Sequence, residues 1–178
     1  EGDYSGAFHY VLSYKGSEVW TGGLGRAFDK DKTDLSEYNA VSMWVKPDGN
    51  GQKMVIQIND NYEAYLTEFV KGTKAQYVTI PFTSFKKKGN AEESVDSSNI
   101  TSFKLWCNSV PENYKGTKDE NGNYTVDGTI LFDDMKAVKI SSSDLEKINE
   151  QGLIVSDAPL TGSEDRPGGE IPPKPEQV

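Results

Sequence analysis

Three tryptophans stand where the local pattern turns them away from an apolar row. In residues 41–46, Val41, Met43 and Val45 point one way while Ser42, Trp44 and Lys46 point the other, by the two-residue period of a strand. In residues 102–108 the apolar row is Phe103, Leu105 and Cys107, which sends Trp106 outward beside Lys104 and Asn108. Trp20 lies in Glu18-Val19-Trp20-Thr21-Gly22-Gly23, where the glycines imply a loop or bulged strand with nothing large enough to bury an indole. Gln57 opposes the row Met54, Ile56 and Ile58 in the same manner. Exposed aromatic rings beside amide and charged side chains suit a sugar ligand. The C–H faces of a pyranose stack on indole or phenol, and its hydroxyls pair with Asn, Gln, Glu, Asp and Lys. For Trp44 the opposing reading, burial under a second layer or loop, carries equal weight.

Catalytic chemistry finds fewer footholds. A Ser/His/acid or Cys/His apparatus would have to use His9, the single histidine, and for the thiol version Cys107, the single cysteine. Both fall inside predicted strands, where an ordinary strand residue and a small core residue are the better readings. With one cysteine the chain forms no internal disulfide and lacks the ligands of a Cys/His zinc site. The 28 acidic residues leave paired carboxylates open by number, yet no closely spaced acidic strand motif appears. The run Asp29-Lys30-Asp31-Lys32-Thr33-Asp34 alternates oxygen ligands but lacks the central glycine and late glutamate of an EF-hand loop. Asp119-Glu120-Asn121-Gly122-Asn123 reads as a turn through Asn-Gly.

The elements that must position these residues are short and alternating. Such runs occur at 8–14, 41–46, 54–59, 62–70, 76–81, 102–108 and 128–140, separated by Gly, Asn, Asp and Ser clusters. The pair 41–46 and 54–59, joined by Pro47-Asp48-Gly49-Asn50-Gly51, is expected to form a β-hairpin with Trp44 and Gln57 on one sheet face. An all-β sandwich over residues 1–140 follows, with an extension at 141–160 that packs on or near it. There Ser143, Leu145 and Ile148 suggest a turn or two of helix ending at Gly152. From 161 to 178 Pro, Gly and charged residues dominate, which predicts a flexible linker and a further module beyond it. The 178 residues thus hold one domain and a tail. A net charge of −9 argues against nucleic acid or an anionic membrane surface as partner. No apolar run approaches the ~18 residues of a membrane span, and Glu1-Gly2-Asp3 does not resemble a signal peptide, so the chain reads as a mature or excised, monomeric piece.

A family likeness adds to this reading. Asp34-Leu35-Ser36-Glu37-Tyr38, Val41-Ser42-Met43-Trp44-Val45-Lys46-Pro47-Asp48-Gly49, Gln52-Lys53-Met54-Val55-Ile56-Gln57-Ile58, Tyr62-Glu63-Ala64-Tyr65, Val78-Thr79-Ile80-Pro81-Phe82-Thr83-Ser84-Phe85 and Ile130-Leu131-Phe132-Asp133-Asp134 follow one another in an order and spacing that resembles the β-jelly-roll carbohydrate-binding modules. The nearest are those appended to bacterial mannanases and mixed-linkage glucanases, families twenty-three, twenty-seven and eleven, and the likeness covers residues 4–140. The resemblance implies two antiparallel sheets that bind a polysaccharide without cleaving it, in a secreted or cell-surface protein. It implies stacking roles for Trp106 and Trp20, polar contacts from Glu63 and Tyr65, and a basic loop at Lys87 and Lys88. It also implies that Asp133 ligates a structural calcium together with backbone carbonyls and an acidic residue near the N-terminus. The chain departs from the pattern there, since it begins at Glu1 with the leading acidic strand missing or shortened, and segment 141–160 stands outside the pattern altogether.

Three functions are therefore weighed: a polysaccharide-binding module, a β-sandwich enzyme that cleaves glycans, and a structural or protein-interaction domain. Among ligands, β-mannan comes first, mixed-linkage β-glucan second and starch-type α-glucan third.

Overall fold

A computed structural model describes residues 6–14, 20–27 and 34–160. Among these residues ten strands form two five-stranded sheets. They are β1 (Gly6–Tyr14), β2 (Trp20–Ala27), β3 (Ala40–Lys46), β4 (Lys53–Ile58), β5 (Tyr62–Tyr65), β6 (Gln76–Pro81), β7 (Lys86–Lys87), β8 (Ser102–Asn108), β9 (Tyr124–Val138) and β10 (Ile154–Ser156). Sheet one has the order β1-β9-β3-β6-β10 and sheet two the order β2-β8-β4-β5-β7. Every strand pairing within each sheet is antiparallel, as expected for an all-β sandwich. The core lies between the sheets. Phe8, Tyr10, Leu12, Val41, Met43, Val45, Val78, Ile80, Ile130 and Phe132 enter it from sheet one, and Met54, Ile56, Ile58, Ala64, Leu105 and Cys107 from sheet two. Each alternates with outward neighbours along its strand.

The hairpin expected between residues 41–46 and 54–59 is not formed. β3 belongs to sheet one and β4 to sheet two, and the turn residues between them carry the chain from one layer to the other. The apolar rows were read correctly, but two strands facing each other across a core produce the same alternation as two strands paired in one sheet. Gly49 at φ 81° and Gly51 at φ 64° provide the left-handed bends of this crossing. Asp48 pins it, since its carboxylate accepts the Tyr10 hydroxyl at 2.6 Å and the Asn50 amide at 3.0 Å. The true hairpin joins β4 to β5 through Asn59 and Asp60, both at positive φ (53° and 60°), the backbone of a primed turn.

Residues 139–160 cover part of the outer face of sheet one. A second apolar cluster gathers Ala40, Val138, Ile140 and Ile154, with Leu145, Ile148 and Leu160 packed against it. The helix in this segment, α1 (Ser142–Leu145), is a single turn rather than one reaching Gly152. Ser141 and Asp144 form a reciprocal capping box at its start, and Gly152 at φ 78° turns the chain into β10 beside β6. The tail at 161–178 and residues 29–33 of the weak calcium-loop match lie outside the described residues.

Candidate functional site

The register of β8, β4 and β5 dictates what the outer face of sheet two displays. Because Met54, Ile56 and Ile58 face the core, Lys53, Val55 and Gln57 must face out, and their cross-strand partners with them. One row crosses the strands as Trp106, Val55 and Tyr65. On one side of it runs the row Lys104, Gln57, Glu63 and Lys86, and on the other lie Asn108 and Lys53. Trp106 and Tyr65 stand two strand spacings apart, about 10 Å. Val55 between them is 0 % exposed although it points away from the core, whereas Tyr65 is 41 % exposed. Val55 is thus covered by its neighbours, with the Trp106 and Tyr65 rings on either side of it.

Polar groups hold the rings in place. Glu63, 8 % exposed, accepts the Gln57 amide at 3.0 Å on one oxygen and the Tyr65 hydroxyl at 2.7 Å on the other. Burial and this bond push the Tyr65 phenol up to about 12, so it remains a donor at neutral pH. The Lys53 ammonium sits 5.4 Å from the Tyr65 ring centroid and 5.6 Å from that of Trp106, within cation–π range of both. Lys104 reaches Asp60 at 2.5 Å. Its stem crosses Gly25 of β2, where a Cβ would come within 2.6 Å of the lysine Cγ, so the glycine keeps this edge of the face low. Such a face can stack a flat polyhydroxylated ring and hydrogen-bond its rim.

Six of the residues singled out in the sequence are thus brought together: Trp106, Gln57, Glu63, Tyr65, Lys104 and Asn108. Trp20 opens β2 opposite Asn108, which places its backbone in the row of Lys53; its side chain lies outside the described residues. Trp44 does not join them. It is half-buried on the outer face of sheet one between Tyr77 and Asp133, on the far side of the sandwich from Gln57. The cause is the layer crossing at Pro47 to Gly51. Lys87 points to the opposite side of its strand from Lys86, pairing with Glu93 and lying 5.8 Å from the Tyr62 ring centroid. Lys88 is exposed beyond it. Sequence reasoning missed Lys53, Val55 and Lys86. The alternation of β4 already turned Lys53 outward, but its place between two rings depends on which strands flank β4.

The catalytic candidates stay apart. His9 lies on the outer face of sheet one, 2.8 Å from Asp127 and exposed, and Cys107 is buried in the core, where desolvation raises its thiol to about 12. The Asp119 carboxylate accepts the amides of Asn121 and Asn123 at 2.9 and 2.8 Å, which makes that stretch a turn. Asp133 accepts the Asp134 amide at 2.7 Å, and Asp134 is paired with Lys136 at 3.0 Å. Among the described residues no group of three or more His, Cys, Asp or Glu could hold a metal ion.

No family model and no curated protein matches the chain. Among solved structures it is similar to the family 11 carbohydrate-binding module from Clostridium thermocellum in complex with β-1,3-1,4-mixed-linked tetrasaccharide. The identity is 17 % and the TM-score 0.45, over 78 % of this chain and 88 % of that one.

Proposed function

We propose that this chain binds a polysaccharide without cleaving it, through the outer face of sheet two, as one module of a secreted or cell-surface bacterial glycan-degrading protein. The observation that carries the reading is the row Trp106, Val55, Tyr65, in which two rings flank the buried Val55 beside the amides of Gln57 and Asn108. Pyranose faces stack on such rings while their hydroxyls exchange hydrogen bonds with the neighbouring polar row. β-Mannan is the first ligand to test, mixed-linkage β-glucan the second and starch-type α-glucan the third.

Affinity gels with these polysaccharides test the proposal. Retardation on at least one, with no new reducing ends after prolonged incubation, is the expected result. New ends would make the chain an enzyme, and retardation by none would move it to a structural or protein-interaction role. Calcium enters through the resemblance at Asp133 alone, and melting with a strong chelator decides it: a lower Tm supports a bound ion, and an unchanged one removes it.

A further inference from the structure

We infer that the Lys53 ammonium makes this face select polysaccharides that carry carboxylate groups, so that a uronic-acid unit of a β-linked chain binds against it. The inference rests on the glycan-binding reading of the same face and narrows its ligand class. Lys53 lies at the outer-face position of β4 opposite Asn108, with its charge held between Tyr65 and Trp106 at 5.4 and 5.6 Å from the two centroids. It forms no ion pair among the described residues, unlike Lys71, Lys74, Lys87, Lys104, Lys136 and Lys147, each of which has a carboxylate within 3.0 Å. Among the described residues no carboxylate neutralises this lysine, whose charge lies beside both aromatic rings of the face.

The other charges on the face do not cancel it. Lys104 and Asp60 neutralise each other at 2.5 Å. Lys86, which the register sets on the same face, donates to the Thr83 carbonyl at 3.2 Å and adds a second positive charge. Among the described residues of the face, Glu63 is the other carboxylate. It is 8 % exposed and both its oxygens are engaged, one by the Gln57 amide and the other by the Tyr65 hydroxyl. A sugar ring stacked on Trp106 or Tyr65 lies against the same rings that hold the Lys53 charge. A neutral ring there offers the ammonium hydroxyls only, whereas a uronate offers a charge-assisted hydrogen bond, the stronger of the two.

The test compares one backbone in two charge states. Soluble β-mannan and mixed-linkage β-glucan are each taken neutral and after partial oxidation of their primary alcohols to carboxylates. Affinity is followed by tryptophan fluorescence at about 0.1 M and about 1 M ionic strength, between which the Debye length falls from about 10 Å to about 3 Å. The oxidised form of whichever backbone binds should bind about tenfold more tightly at low salt, with most of that advantage gone at high salt. Lys53→Met, which keeps the aliphatic stem, should bind both forms alike, and Lys53→Arg should restore the preference. Equal or weaker binding of the oxidised form by the unaltered chain overturns the inference and leaves the glycan reading intact. An advantage retained in a folded Lys53→Met variant also overturns it, and should that variant not fold, the salt dependence of the unaltered chain decides alone. Binding of no form of either backbone would overturn this inference, and the glycan reading would then rest on starch-type α-glucan alone.

Discussion

Trp106 and Tyr65 are asked to do the same work from different degrees of burial. Tyr65 is 41 % exposed and its hydroxyl is tied to Glu63, so Tyr65→Ala removes a ring face without opening the core. Trp106 is half-buried and roofs Val55 from one side. Each substitution to alanine should cost on the order of 1–3 kcal/mol of glycan affinity, by analogy with stacking on exposed rings in other recognition sites. Neither should approach the roughly 3–5 kcal/mol of folding stability lost with a core aromatic residue. Titration of the polysaccharide into each variant, alongside its thermal midpoint, separates the two effects. Trp44→Ala is the comparison on the opposite sheet and should leave affinity unchanged. If Trp44→Ala abolishes binding while Trp106→Ala and Tyr65→Ala do not, the ligand uses sheet one and the assignment of the face is wrong.

Among the elements, the crossing between β3 and β4 shows both what a local pattern can specify and where it stops. It packs against β9 at Gly128, where a Cβ would come within 2.3 Å of an Asp48 carboxylate oxygen and 2.4 Å of the Tyr10 ring. Gly128→Ala should therefore displace the Tyr10 to Asp48 hydrogen bond and cost about 1–3 kcal/mol as overpacking, readable as a lower midpoint in urea. A variant as stable as the parent would show that the crossing relaxes freely. The strands themselves were legible because alternation in Val41 to Val45, Met54 to Ile58 and Phe103 to Cys107 depends only on which side faces a core. Their partners were not, because pairing is set by contacts distant in sequence: β4 lies between β8 and β5, some 50 residues away on one side and a tight turn on the other. Of the six residues brought together, Trp106, Gln57, Lys104 and Asn108 followed from alternation, whereas Glu63 and Tyr65 came with the family resemblance. Lys53 and the exclusion of Trp44 followed only from the sheet order, and the Asn59-Asp60 hairpin had no glycine to announce it.

For the molecule as a whole, segment 139–160 belongs to the folded unit. It supplies β10 to the edge of β6 and closes the cluster of Ala40, Val138, Ile140 and Ile154, so a chain ending at Val138 should melt several degrees lower than one ending at Leu160. Equal midpoints would show that the extension only rests on the sandwich. The response to alkali follows from groups that the fold keeps protonated. Burial, reinforced by nearby Asp48, raises Cys107 from an ordinary 9.0 to about 12. The Tyr65 phenol rises from 10.0 to about 12, and Tyr10, buried with its hydroxyl on Asp48, is raised further still. Above pH 9 the unfolded chain begins to release protons that the folded chain retains, so folding stability must fall as pH climbs. These contributions are complete below the ordinary values of 9.0 and 10.0 and disappear as pH rises toward and past 12. Urea midpoints measured from pH 7 upward should stay level to about pH 9 and then drop. Replacing the core thiol and phenol together, Cys107→Ala with Tyr10→Phe, lowers stability at neutral pH but removes two of the three groups, so the drop in this variant should be shallower. A slope unchanged in the double variant would assign the alkaline loss to other groups, and a level profile to pH 12 would show that neither residue is as secluded as its burial implies.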